Sequence, residues 1–204
     1  MNIFVYGDSN TWGYVPTLDL YDGVDSHTKR YDEKDRWYFP LNKNNRLYVS
    51  GNNGRTINND HPLYEGKNSM KTILNDMPDD KIDLTIIMLG TNDLKECYKL
   101  STIDLINNMN KLTSTIYNKF KCKFMLICPP YILDTVVTKV NYINGISKID
   151  EYELALKEYT KKSGFLFVSG KDLSVGVDGE HLTIDGHKEL GKRVLKVIKN
   201  IKGV

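Results

Sequence analysis

Short apolar runs recur along the chain, and segments with a helical period separate them. Asn2–Tyr6 predicts a first strand and Arg46–Ser50 (RLYVS) a second. Ile82–Gly90 (IDLTIIMLG) predicts a third, apolar on both faces as a buried parallel strand is. Cys122–Pro130 (CKFMLICPP) is the fourth, stopped by a double proline, and Phe165–Ser169 (FLFVS) is the fifth. Between them, Ile103, Ile106, Met109, Ile116 and Phe120 form one helical stripe. Ser147 and Asp150 have the spacing of a capping pair that opens a helix, with Ile149, Tyr152, Leu156 and Tyr159 inward and Gly164 just past its end. Leu190, Val194, Val197 and Ile201 give the last helix its apolar face, and Lys67–Met77 carries a weaker helical pattern.

Strands alternating with helices imply right-handed crossovers and a parallel sheet covered on both faces, which makes this an α/β chain. Residues 14–45 break the pattern. They are rich in Asp, Tyr, Lys and Asn, and the expectation is a long loop over the site with room for a short helix.

Composition narrows the picture. With 204 residues and no linker or repeat, residues 1–204 read as one domain. A formal charge of +2, without a polybasic block, argues against nucleic-acid and anionic-membrane partners. The basic stretch Lys188–Lys202 reads as a solvated helix face. The apolar start breaks at Gly7-Asp8, too early for a secretory signal core, and the longest apolar runs are strand-length rather than membrane-spanning. Three cysteines, Cys97, Cys122 and Cys128, have neither a disulfide framework nor metal-ligand spacing, so reduced thiols and a cytoplasmic location are expected.

In an open parallel sheet the site lies beyond the C-terminal strand ends. Here those ends carry GDSNTWG from Gly7, GNNGRT from Gly51, GTND from Gly90, Pro129-Pro130-Tyr131, and VDGEHLT from Val177. A serine hydroxyl becomes a nucleophile when a base takes its proton. His181 is such a base for Ser9, and Asp178, three positions earlier, can hold the imidazole in one tautomer. The developing oxyanion needs donors. The Ser9 N–H, the Gly54 N–H and the Asn92 carboxamide are candidates, with Gly54 lacking a Cβ that would keep substrate at a distance.

These residues resemble the SGNH hydrolases, also called GDSL esterases and lipases. GDSN, NNGRT, GTND and DGEH occur in the family's order, and GDSNTWGYVP, GRT and IIMLGTNDLK look closest to its arylesterase-like branch. The resemblance covers nearly the whole chain. It implies a flavodoxin-like, three-layer α/β/α sandwich with Ser9 as nucleophile, His181 as base and acid, Asp178 as its orienter, and Gly54 and Asn92 completing the oxyanion hole. It also shows two departures. Asn10 stands where Leu is usual, and the stretch between Trp37 and Gly51 is short; both are expected to border the pocket.

Each residue also has a plainer reading. Ser9 or Asp93 can cap a helix, Asn92 can bond its own turn, and residues 178–181 can be a surface loop leading to an N-cap at Thr183. Asp178, His181, Asp185 and His187 form a conceivable metal set, but His187 is expected inside the last helix, pointing away from His181, so no metal is expected. Trp12, Tyr14, Trp37 and Tyr131 are candidates for an acyl or alcohol pocket, with Trp12 and Tyr131 put forward as substrate-binding. Arg55 reads as a structural hydrogen-bonder, Arg36 is open, and His61 and His27 read as solvated or structural.

The expected function is hydrolysis, or transesterification, of a small carboxylic ester through an acyl-Ser9 intermediate. No cofactor is expected, and the partner is the small-molecule ester. A carbohydrate O-acetyl deacetylase uses the same residues. A flavodoxin-like module is the rival of another class, with GDSNTWG cradling a phosphate and Trp12 or Trp37 stacking on a flavin, but it leaves Asn92, Asp178 and His181 without a role. A homo-oligomer is compatible with residues 14–45 being buried between subunits.

Overall fold

The computed structural model describes residues 1–18 and 29–202, without the side chains of 201 and 202. Five strands, β1 (Asn2–Gly7), β2 (Arg46–Gly51), β3 (Leu84–Met88), β4 (Lys123–Cys128) and β5 (Leu166–Ser169), form one sheet in the order β2-β1-β3-β4-β5. Every pair is parallel, so the C-terminal ends of all five strands lie along one edge. The helices are α1 (Ser9–Trp12), α2 (Ser69–Asp76), α3 (Thr102–Phe120), α4 (Gly145–Ser163) and α5 (Ile184–Lys202). This is the expected flavodoxin-like order, in which the chain reverses direction across the sheet between β1 and β3.

Alternation along the strands builds two cores. Phe4, Tyr6, Ile87, Phe124 and Leu126 face α2, α3 and α4. Ile3, Val5, Ile86, Met88, Met125 and Ile127 face α5 and the segment around Trp37 and Leu41. Together these are the two outer layers of an α/β/α sandwich. Each fully buried aliphatic side chain contributes about 1.5–3 kcal/mol.

Several helix details differ from the sequence expectation. The buried stripe of α3 runs through Leu105, Met109, Leu112, Ile116 and Phe120, while Ile103 is exposed. Steps of three and four place Leu105 and Leu112 on the Met109 face and turn Ile103 away from it. Helix α4 begins at Gly145 after Asn144, whose φ of 54° is left-handed and whose side chain makes no cap bond; Ser147 lies inside the helix, and Asp150 binds Tyr131 and Lys171 instead. Gly164 does end it, at φ 68°. In α5, Ile198 joins Leu190 and Val194 in the core, with Val197 packed at its edge; the Ile201 side chain lies outside the described residues.

The described parts of the 14–45 segment, residues 14–18 and 29–45, are more ordered than a bare loop. Tyr14 bridges Arg30, and short 3₁₀ turns occupy Glu33–Asp35 and Phe39–Asn44. Trp37 and Leu41 are fully buried against the sheet. His27 lies outside the described residues. No helix among the described residues is long and apolar enough to cross a membrane.

Candidate active site

Strand β1 ends at Gly7 and the chain turns at once into α1. Asp8 caps that helix by accepting the Asn10 N–H at 3.0 Å, and Gly13 ends it at φ 97°. The four-residue helix holds Ser9 over the sheet edge with 6% of its surface exposed. From the far end of the chain, the turn after Val175 brings His181 to the same place. The His181 Nε2 lies 2.8 Å from the Ser9 Oγ, and its Nδ1 lies 2.8 Å from the Asp178 Oδ2. Gly179, at φ 84°, makes that turn possible. A Cβ there would lie 2.7 Å from the Leu133 carbonyl, too close to fit.

Asp178 is held by more than the ring. Its Oδ1 accepts the Glu180 and His181 N–H groups at 3.2 and 3.1 Å, and its Oδ2 also accepts the Thr17 N–H at 3.3 Å. Burial pushes this carboxyl upward, but the His181 ring and the backbone donors outweigh it, and Asp178 titrates below the usual carboxylate range. Burial alone would lower His181; the contact with Asp178 and the charges of Glu180 and Asp8 reverse the sign, and the imidazole is raised above its ordinary value. With Nδ1–H donated to Asp178, Nε2 is left to accept a proton from Ser9.

The opposite wall comes from the turns after β2 and β3. Gly54 has a left-handed φ of 72°, and a Cβ there would meet only the Lys67 Cδ, at 3.9 Å. Backbone conformation, rather than crowding, is what requires glycine at this position. The Asn92 Nδ2 donates to the Arg55 carbonyl at 3.1 Å, which uses one of its two N–H groups. Asp93 latches the same loop: its carboxylate accepts the Ile57 N–H at 2.9 and 3.0 Å and the Asn59 Nδ2 at 2.8 Å. Burial raises Asp93 to about 7. Sequence reasoning offered Asp93 only as a helix cap; its loop partners are more than thirty positions away, and no local pattern announces them.

Ser9, Tyr14, Asn53, Gly54, Asn92, Lys95, Glu180 and His181 line a cleft of about 50 Å³. All three proposed parts of the chemistry, namely hydroxyl, base and oxyanion donors, therefore meet in one place. The aromatic candidates divide. Tyr14 stacks on the His181 ring at 4.3 Å. Trp12 and Tyr131, expected to bind substrate, are not in the cleft lining. The Arg30 guanidinium covers the Trp12 ring at 4.7 Å, and the Tyr131 hydroxyl donates to Asp150 at 2.9 Å. Trp37 is wholly in the core. Asn10, expected at the pocket border, is buried outside it.

The remaining polar candidates are structural. Arg55 is buried, donates to the Gly7 and Ser50 carbonyls, and pairs with Asp76 at 3.0 Å. Arg36 donates to the Tyr31 carbonyl and the Tyr38 hydroxyl. His61 stacks on Tyr64. His187 sits inside α5, and its Nδ1 accepts the Trp37 N–H at 3.3 Å. Among the described residues, no three His, Cys, Asp or Glu side chains gather in an arrangement that would hold a metal.

A hydroxyl, an imidazole and a carboxylate in series, at the C-terminal edge of a 2-1-3-4-5 parallel sheet, define an α/β fold with a hydrolase-like site. The profile of the GDSL-like Lipase/Acylhydrolase family matches residues 3–194, and the chain belongs to that family. No curated protein matches it in sequence. Among solved structures it is similar to the aryl esterase of M. smegmatis, with 24% identity, a TM-score of 0.88 and 98% of each chain covered. It is similar also to Est24, a carbohydrate acetylesterase from Sinorhizobium meliloti, with 24% identity, a TM-score of 0.85, and 98% and 99% of the two chains covered. A member of the lipolytic G-D-S-L family from Veillonella parvula DSM 2008 shares the fold at 15% identity and a TM-score of 0.69, over 97% and 98% of the two chains.

Proposed function

We propose that the protein hydrolyses short-chain carboxylic esters through an acyl-Ser9 intermediate. The observation that carries this reading is the unbroken contact series from the Ser9 Oγ to the His181 Nε2 and from the His181 Nδ1 to Asp178, each step at 2.8 Å. His181 takes the Ser9 proton as the oxygen attacks the ester carbonyl. Asp178 steadies the imidazolium that forms, and His181 then returns the proton to the leaving alcohol. The negative oxygen of the tetrahedral intermediate is received by the Ser9 and Gly54 N–H groups and the second N–H of Asn92. Water, deprotonated by the same imidazole, then releases the acid.

A cleft of about 50 Å³ suits an acetyl or similarly short acyl group. Its polar wall of Asn53, Lys95 and Glu180 also favours a second reading, in which the alcohol is a hydroxyl-rich sugar and the reaction is O-deacetylation. The likeness to a carbohydrate acetylesterase agrees with that reading. The test is turnover of p-nitrophenyl esters of increasing acyl length beside acetylated sugars. Turnover that declines beyond short acyl groups and vanishes in Ser9→Ala supports the proposal; undiminished turnover in Ser9→Ala would falsify it.

A further inference from the structure

The residue that follows Ser9 departs from the family's usual Leu, and the structure gives it a task outside the cleft. Asn10 is 1% exposed. Its carboxamide faces the backbone on both sides of His181. The Nδ2 donates to the Glu180 carbonyl at 3.1 Å, and the Oδ1 accepts the Leu182 N–H at 2.8 Å. One donor and one acceptor, meeting backbone groups two residues apart, copy what a neighbouring strand would supply.

The other edge of the same segment is already bonded. Gly176 N–H donates to the His181 carbonyl at 2.8 Å, and Thr183 N–H donates to the Ser174 carbonyl at 3.0 Å. The peptide groups alternate, so the Glu180 carbonyl and Leu182 N–H turn the opposite way, toward Asn10. Asn10 is itself fixed: it lies in the first turn of α1, and its N–H is held by Asp8. The Ser9–His181 contact therefore does not depend on its own hydrogen bond alone. A two-point anchor one residue away ties the two ends of the chain across 170 and 172 positions.

We propose that Asn10 is a positioning residue: its carboxamide sets the 180–182 backbone against the first turn of α1 and so keeps the His181 ring in reach of the Ser9 hydroxyl throughout the reaction. The idea rests on the hydrolase reading above. A misplacement of about 1 Å at a reacting pair costs on the order of 100-fold in rate. A leucine has the same branched heavy-atom skeleton but bulkier methyl ends and makes neither bond, whereas alanine removes both bulk and bonds, so the two variants together separate bulk from hydrogen bonding.

The experiment compares wild type, Asn10→Leu and Asn10→Ala, with kcat and KM for p-nitrophenyl acetate normalised to the sites a fluorophosphonate labels. Both variants are expected to lose about 10- to 100-fold in kcat per labelled site with KM within about threefold. Leu182 N–H, bonded to Asn10, is expected to exchange slowly with deuterium in wild type and quickly in both variants. Asn10→Asp, assayed at about pH 8, keeps an acceptor for Leu182 but not the donor for Glu180. It covers the case in which the other two do not fold, and it is expected to lose about 10-fold in kcat. Wild-type kcat in Asn10→Leu, or in Asn10→Asp where that is the variant that folds, overturns the proposal, as does a loss confined to KM. If wild type itself neither labels nor turns over the ester, the hydrolase reading fails; if wild type works and Asn10→Leu works equally well, only the role of Asn10 falls.

Discussion

His181 and His187 stand six positions apart, and both rings are enclosed, yet their surroundings drive them in opposite directions. His181 sits in a turn whose backbone also presents Asp178, and the carboxylate more than offsets the cost of burying a charge. His187 sits in α5 with the Trp37 N–H on one nitrogen and no partner on the other among the described residues. Burial lowers it to about 3, helped by the positive charges of His181 and Arg36. The same residue type is thus held ready for a proton in one place and kept neutral at ordinary pH in the other. A carboxylate within 3 Å makes the difference, and burial does not.

The strongest way to break the contrast is to remove the groups that give His181 its task. Ser9→Ala or His181→Ala is expected to lower kcat on a short ester by roughly 10⁶-fold, while far-ultraviolet circular dichroism stays native. Asp178→Asn keeps the shape of the turn but permits the wrong imidazole tautomer, and a loss of about 10⁴ in kcat is expected. Asn92→Ala removes one of the proposed oxyanion donors and should cost about 10²–10³ in kcat, or roughly 3–4 kcal/mol.

Two weaker effects sharpen the comparison. The His181 ring must be neutral to accept the Ser9 proton, and its pKa is raised. The acid limb of a kcat/KM profile should therefore fall off above the ordinary imidazole value of about 6.5, and a limb centred below that value would contradict the account. His187 has the opposite sign. Its folded pKa lies below its unfolded one, so the unfolded chain binds more protons between about pH 6.5 and 3. Stability from this group is complete above that range and is lost as the pH falls through it, by up to about 1.4 kcal/mol per unit. His187→Asn, which keeps an acceptor for Trp37, should flatten that acid slope in a denaturant titration while kcat at neutral pH stays within about twofold.

The sheet and the meeting of Ser9 with His181 were legible in the sequence because each rests on a local signal. Strand-length apolar runs announce a buried parallel sheet, and the strand-end rule points to the turns that follow. The Asp178-to-His181 spacing is likewise local, because three residues in a glycine-containing turn bring carboxylate and ring together. Asp93 and Asn10 were not legible as latches, since their partners lie far along the chain and an isolated Asp or Asn looks like a cap or a turn. Trp12 and Tyr131 stand outside the cleft lining for a related reason. A ring near a strand end can face the cleft or a neighbouring cation or carboxylate, and Arg30 and Asp150 decided it. Met109, Ile116 and Phe120 do form the inner stripe of α3, but Ile103, apolar and in rough period, lies at the solvent side of the first turn, and Leu105 and Leu112 complete the stripe instead.

Peptide mapping by mass spectrometry after reaction with a fluorophosphonate tests the central claim most directly. The account predicts one phosphonyl group per chain, on the peptide that contains Ser9, formed quickly in wild type and very slowly in His181→Ala. A label on another residue, or one whose rate on Ser9 is indifferent to His181, would contradict it.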